Sequence, residues 1–498
     1  MPRPARRPAS PCPGPKTATL TREFGRRELL RAGLTGFATF GLSDILRWRA
    51  LAAEVAAQQA VPGESPSTPK SQEQPTAVIL VWLRGGASHL ETFDPKPDAT
   101  SEFRGPYSPI HTNVPGIEIC ELLPRLAGMA DKYALVRSLS HTGGGHPAGS
   151  LQMMTGDTDV VDKMESRYPD WACVANRVRS GKPRRIPNFI AVNPIDTYDG
   201  WPISGPAYLG PAYQGFKVFG DPSSPTFEVP NIGLKDASAK QRLSERVDVR
   251  RSLDRLRRDL DQAGMMEALD RFESQAIDLL VNSEAREAFD LTREPDAVRD
   301  RYGRNQWGQQ CLMARRLVEA GVEIVTTEFD GVPCGRVQNW DDHAVNQHIF
   351  DAMKFRLPTF DQAVSALIED VYARGLDRRV LVIVTGEFGR TPRISHVASS
   401  GGGVASGEAG VVQPGRDHWP RAGSMLFAGG GIRTGQVIGA TDRRGEDPIA
   451  RRVGPEDFLS TIYEHLAIDF RRVAFPDTSG RPIPIIREGE PIHELWRS

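Results

Sequence analysis

Cysteine is scarce in this chain. Cys12, Cys120, Cys173, Cys311 and Cys334 are the five in 498 residues, and no two of them form a CxxC pair. That spacing excludes a zinc ribbon and a dense disulfide framework, leaving at most one or two bridges in an oxidising compartment. Net charge is also lacking: 62 Lys and Arg face 63 Asp and Glu, a formal charge of -1. The basic stretch "RVDVRRSLDRLRRDL" is interleaved with acids and reads as a solvated helix face. Neither nucleic acid nor an anionic membrane is therefore expected as a partner. Long apolar runs are missing too. No segment approaches the ~18 apolar residues that span a bilayer, so no transmembrane segment is expected. No internal repeat is visible.

What is present begins with a targeting pattern. Arg26 and Arg27 precede a moderately apolar stretch, Leu29 to Leu46, followed by small residues at Ala50 and Ala52. Arg31, Asp44 and many glycines and alanines make the stretch too polar for a membrane helix. Residues 1–52 resemble a twin-arginine export signal, which places the mature protein in the periplasm or outside the cell. The alternative is an ordinary amphipathic helix with a chance Arg-Arg. Residues 53–75, rich in Pro, Ser, Gln and Glu, read as a disordered linker. The folded body is expected over 76–498.

Within that body, "TAVILVWL" (Thr76 to Leu83) is a continuous apolar run, the mark of a strand buried on both faces. "KYALVRSLS", "NFIAVNP", "VEIVTTEFD" and "RRVLVIVTG" read as further strands. A helical insertion is expected at about 234–320. "FDQAVSALIEDVYARG" and "FLSTIYEHLAI" read as helices after it. Strand and helix in alternation imply right-handed crossovers and a parallel sheet covered on both faces.

In an open parallel sheet, ligands bind beyond the carboxyl ends of the strands. The loops that follow the apolar runs collect His89, His141, His146, His343, His348 and His418 out of ten histidines. The same loops carry Glu91, Asp341, Asp342, Glu387, Arg390 and Asp417. Carboxylate and imidazole without thiolate are the ligands expected for zinc, manganese or iron at a hydrolytic centre. Plainer roles stand beside this one. Asp341 or Asp342 can cap the helix that follows. Glu387 and Arg390 can form a structural ion pair, and Asp417 and His418 a loop hydrogen bond.

The motifs "GGASHLETFDPKP", "RYGRNQWGQQCLMARRLVEAGVEIVTTEFDG", "NWDDHAVN", "TGEFGRTPRI", "GRDHWP" and "GATDRRGEDP", in this order, are similar to domain-of-unknown-function family fifteen-oh-one. These are exported bacterial proteins related to the alkaline phosphatase and sulfatase superfamily. The resemblance covers the chain from about Thr76 to the C-terminus. It implies an α/β fold, three-layer α/β/α with a mainly parallel central sheet, alkaline-phosphatase-like, and a metal-type site at the strand ends. Its active relatives use a serine, threonine or modified cysteine beside two zinc ions or one calcium. Asp341 and His343 match an acid-and-histidine metal pair, and His418 matches the last metal histidine. Glu387 falls where those enzymes carry an aspartate, but Phe388 replaces the histidine that follows. Gly85 or Gly86 stands in place of a metal aspartate, with His89 and Glu91 as substitutes. The nucleophile position corresponds to His146, with Thr142 and Ser150 nearby.

The expected metal ligands are thus His89, Asp341, His343, Glu387, Asp417 and His418. His146 is expected as catalytic base or ligand. Arg390 either steadies Glu387 or faces an anionic ester oxygen. The cofactor is expected to be a divalent metal, zinc first, with manganese, calcium or iron as alternatives. The expected function is an exported hydrolase of phosphate or sulfate esters, small-molecule or polysaccharide; the alternative is a non-catalytic envelope or extracellular binding protein that retains the fold.

Overall fold

The computed structural model describes residues 76–181, 186–194, 196–229 and 283–496. The expected export signal and linker, and the first part of the expected insertion, lie outside the described residues. From Ser283 onward the insertion is helical, with short helices at Ser283–Phe289 and Asp296–Tyr302.

Strand β1 (Ala77–Trp82) is buried along its whole length. Its side chains alternate between two cores: Ala77, Ile79 and Val81 enter one, while Val78, Leu80 and Trp82 enter the other. A strand flanked by two apolar layers needs apolar residues on both faces, hence the unbroken run. The other main strands are β2 (Tyr133–Leu139), β3 (Phe189–Val192), β4 (Phe216–Val218), β5 (Ile324–Glu328), β6 (Val380–Thr385), β7 (Gly423–Gly429) and β8 (Gln436–Ile438). They form an 8-stranded sheet in the order β8-β2-β7-β6-β1-β5-β3-β4. Strands β6, β1, β5, β3 and β4 are parallel neighbours, as are β2 and β8. Strand β7 is wedged antiparallel between β6 and β2.

Helices α1 (His146–Thr155) and α2 (Trp171–Val178) pack on the Trp82 face. Helices α3 (Gln306–Glu319) and α4 (Ile349–Ala373) pack on the Val81 face. Helix α5 (Pro455–His465) joins the Trp82 side. The result is three layers, α/β/α, with a mainly parallel sheet, as expected. Helix α4 merges two expected helices across Pro358, which lies on the exposed side, where water can take the carbonyl its missing N–H leaves free. Among the described residues, no helix is long and apolar enough to cross a membrane.

The topology gathers the functional loops. The carboxyl ends of β1, β2, β5 and β6 share one edge of the sheet. Because β7 runs the opposite way, the segment that enters it, including His418, meets that same edge. There Arg390 and His418 pair as two short antiparallel strands.

Candidate metal centre

Asp341 lies at the middle of the cluster, in the loop after β5. The Trp340 N–H donates to the Arg84 carbonyl at 2.8 Å, fastening this loop to the one after β1. Gly85 has φ +101°, and a Cβ there would lie 2.5 Å from the Asp341 nitrogen. The chain therefore needs glycine at this position both for conformation and for room.

Three imidazoles converge on one oxygen, Asp341 Oδ1. His343 Nε2 lies 3.0 Å from it, and His146 Nε2 and His418 Nε2 each lie 3.3 Å away. The Nε2 atoms of His343 and His418 are 2.9 Å apart. His146, Asp341 and His418 each offer a ligand atom within 4.8 Å of the others. The remaining nitrogen of each ring is tied to an oxygen. His343 Nδ1 bonds Asp417 Oδ1 at 2.6 Å, His418 Nδ1 bonds the Gly144 carbonyl at 2.8 Å, and His146 Nδ1 bonds Glu387 Oε1 at 2.7 Å. Donation from Nδ1 leaves the lone pair on Nε2, the form in which histidine ligates metal.

Lone pairs and a carboxylate oxygen this close repel unless positive charge sits among them. Protons can supply it. Burial opposes charge on His343, but its bonds to Asp341 and Asp417 outweigh burial and raise it to about 9. His146 is raised in the same way, with Asp341 and Glu387 overcoming burial. His418 moves down, driven by burial and by the Arg390 guanidinium. Burial pushes the Asp341 carboxyl up, yet Arg390 and the three imidazoles hold it well below the usual carboxylate range. A divalent cation could take the place of those protons, since ligand imidazoles must be neutral. The donor set of three nitrogens and a carboxylate suits zinc, iron or manganese. Calcium prefers oxygen ligands and fits poorly.

The remaining expected residues fall into different places. Glu387 is fully buried; its Oε1 accepts from the Gly85 N–H at 2.8 Å and its Oε2 has no hydrogen-bond partner. It holds His146 instead of joining the inner group. Asp417 likewise sits one step out, on His343. Arg390 is buried and each of its three nitrogens is engaged. It bonds Asp341 Oδ1 at 2.8 Å, the Gly86 carbonyl at 2.9 Å, the Arg416 carbonyl at 3.2 Å and the Gly85 carbonyl. It therefore steadies Asp341, not Glu387. His89 does not join the cluster: its buried ring bonds the Gly445 carbonyl at 2.9 Å, and burial lowers it to about 4. The adjacent Glu91 pairs with Arg416 at 2.7 Å. Asp342 caps no helix; it is locked to Arg356, and His348 caps α4 by accepting from the Asp351 N–H.

Phe388 is buried, with its ring 4.6 Å from that of His418 and 5.3 Å from that of His146. It forms an apolar wall against Gly86, where a Cβ would lie 2.6 Å from the phenyl ring. The open side of the cluster is the side of His343, His418 and Asp417, whose side chains are 24%, 22% and 55% exposed. Two residues at the centre escaped the sequence reading. Tyr198 stacks on His146 with centroids 3.8 Å apart, and Asn339 bonds both Tyr198 and the Asp341 backbone. Tyr198 follows β3, itself a legible strand, so listing the residues after every strand would have reached it.

Among curated proteins nothing matches this chain. Of the solved structures that resemble it, the lipoteichoic acid synthase LtaP from Listeria monocytogenes has 8% identity and a TM-score of 0.36, over 80% of its chain and 88% of this one. The sulfatase PsFucS1 from Pseudoalteromonas sp. has 10% identity and a TM-score of 0.32, covering 81% of this chain and 70% of its own. The phosphonate monoester hydrolase of Agrobacterium radiobacter has 11% identity and a TM-score of 0.31, covering 79% and 74%. At such values the likeness is one of backbone course and says nothing about chemistry. Residues 75–496 match the family described as protein of unknown function, DUF1501, and the chain belongs to that family.

Proposed function

We propose that this protein is a metal-dependent hydrolase of phosphate or sulfate esters, exported by way of its Arg26-Arg27 signal. In this reading His146, Asp341, His343 and His418 hold one divalent cation, with zinc the first choice. The observation that carries the reading is the convergence of three Nε2 atoms on Asp341 Oδ1 while every Nδ1 is held by an oxygen. Tying one ring nitrogen to an oxygen while the other faces a shared point is the usual arrangement of metal-ligating histidines. When bound, the cation supplies Lewis-acid polarisation of an ester oxygen and makes water more acidic.

The chain's own residues do the rest. Glu387 and Asp417 orient the His146 and His343 rings, and Arg390 fixes Asp341. Substrate approaches from the His343–His418 side. Water is the nucleophile in this scheme. Of the two hydroxyls near the expected nucleophile position, Thr142 is within 3.4 Å of Gln152 Oε1, and Ser150 is fully buried in α1. Those placements also favour a second reading, a non-catalytic envelope or extracellular binding protein that retains the fold. An ester of a small molecule or a polysaccharide is the substrate class proposed.

Metal analysis of the purified mature protein, followed by turnover of p-nitrophenyl phosphate, its diester and p-nitrophenyl sulfate, separates the readings. The hydrolase is expected to carry one equivalent of transition metal, to lose it in His343→Ala and His418→Ala, and to turn over one ester class. Metal with no turnover would favour the binding protein. A folded protein with no metal and no turnover would defeat the hydrolase and leave the binding protein ahead.

A further inference from the structure

Asp341 and His146 approach to 3.3 Å although they come from the loop after β5 and the start of α1. Beside the backbone bond that fastens the Asp341 loop at Arg84 and the Glu387 carboxylate on His146 Nδ1, a side-chain brace joins the two. Asn339 Oδ1 accepts from the Asp341 N–H at 2.9 Å, and its Nδ2 donates to the Tyr198 hydroxyl at 3.0 Å. Asn339 is buried at 7% exposure and Tyr198 at 4%. The Tyr198 ring lies flat on His146, 3.8 Å between centroids at 13°. Its neighbour on the ring is Arg84, whose guanidinium stands 4.7 Å from the centroid. Arg84 is itself held by Glu328 and Asp330, each at 3.1 Å. The Arg84 carbonyl accepts from the Trp340 N–H, which returns the path to the Asp341 loop.

We propose that Asn339 and Tyr198 are positioning residues that hold the His146 ring plane at a fixed distance from Asp341, and so set the metal affinity of the centre. The physical reason is rotational. Turning His146 about its Cβ–Cγ bond would swing Nε2 away from Asp341 Oδ1, and a phenol stacked on the ring blocks that turn. Asn339 then fixes the phenol relative to Asp341, because one amide holds both. Supporting groups one layer out from metal ligands typically change affinity by about 10- to 100-fold. This inference rests on the ligand set proposed above.

The test uses the full mature chain loaded with Co²⁺ or Zn²⁺. Affinity is read by competition with a chromophoric chelator, coordination by the Co²⁺ visible spectrum, and folding by the thermal midpoint of the metal-free protein. Asn339→Ala and Tyr198→Leu are expected to weaken binding about 10- to 100-fold and to alter the cobalt spectrum. Asn339→Asp is expected to restore both. Its carboxylate can accept from the Asp341 N–H and from the Tyr198 hydroxyl. Tyr198→Phe keeps the stack without the hydroxyl and is expected to bind more tightly than Tyr198→Leu. Wild-type affinity and spectrum in Asn339→Ala and Tyr198→Leu would overturn the brace while leaving the ligand set intact. Absence of metal binding by the wild-type chain would overturn both.

Discussion

Asp341 and Asp342 are adjacent in sequence and opposite in role, and the substitution Asp342→Asn exposes the difference. Asp342 is fully buried. Its Oδ2 lies 2.9 Å from Arg356 Nη1 and its Oδ1 2.8 Å from Arg356 Nη2, with Gln347 Nε2 donating to Oδ1 as well. The side chain of Arg356 is 1% exposed, and its other neighbours are the sulfur of Cys334 at 3.1 Å and the Trp340 ring, 5.0 Å from the guanidinium. Asparagine at 342 would turn an N–H toward that guanidinium and leave a buried cation with no counter-charge. Breaking one side of a buried pair costs about 3–5 kcal/mol. Set against a total stability of ~5–15 kcal/mol, that is a large fraction. Urea unfolding of the metal-free protein, followed by tryptophan fluorescence with Trp340 beside the altered pair, measures it. The double variant Asp342→Leu/Arg356→Met removes both charges and is expected to recover most of the loss. Metal uptake should follow the opposite pattern, abolished by Asp341→Asn and retained by folded Asp342→Asn. The reasoning fails if Asp342→Asn lies within about 1 kcal/mol of wild type, or if the double variant is no more stable than the single.

Acid should unfold the protein through histidines remote from the centre. Burial lowers His89 and His465 from 6.5 to about 4, and each donates its Nε2–H to one backbone carbonyl, Gly445 and Ala77 respectively. With the folded values depressed, their stabilisation is complete above pH 6.5 and is lost as the pH falls toward 4, by about 2 kcal/mol each at pH 5. The unfolding free energy of His465→Gln, measured between pH 7 and 4, should fall less steeply than that of wild type; an unchanged slope counts against this account. Gly85→Ala forces a Cβ to within 2.5 Å of the Asp341 nitrogen at φ +101°. Strain and overpacking together predict a loss of about 2–4 kcal/mol and weaker metal binding, and wild-type binding in this variant would contradict the packing described.

The sheet was largely legible because parallel strands buried on both faces must be continuously apolar. The runs at Thr76, Lys132, Asn188, Val322 and Arg378 each contain an observed strand. Strands β4 and β8 are three residues long, and β7 is bounded by Gly423 and Gly429. Elements so short or glycine-flanked leave no period to detect. Helix α4 continues through Pro358, a local breaker that tertiary packing of the residues on either side overrides. At the site, strand order brought Asp341, His343, His418 and His146 to one edge, which sequence could foresee. Whether a histidine there turns inward depends on its second nitrogen. His89 and His418 were both expected as ligands, but His89 engages its Nε2 with the Gly445 carbonyl, whereas His418 bonds the Gly144 carbonyl through Nδ1 and leaves Nε2 for the cluster. Ring stacking and a bridging amide, as at Tyr198 and Asn339, follow no periodicity.

The reversal of β7 has a consequence for biosynthesis. Because that strand enters the sheet from the edge where the other strands leave it, His418 and Asp417 reach the cluster on the chain that leads into β7, which lies between β6 and β2. A ribosome-bound chain that has released His146, Asp341 and His343 still lacks its fourth side chain and the anchor of His343. On the proposed ligand set, loading with a cation would wait for this segment and could not guide the earlier steps of folding.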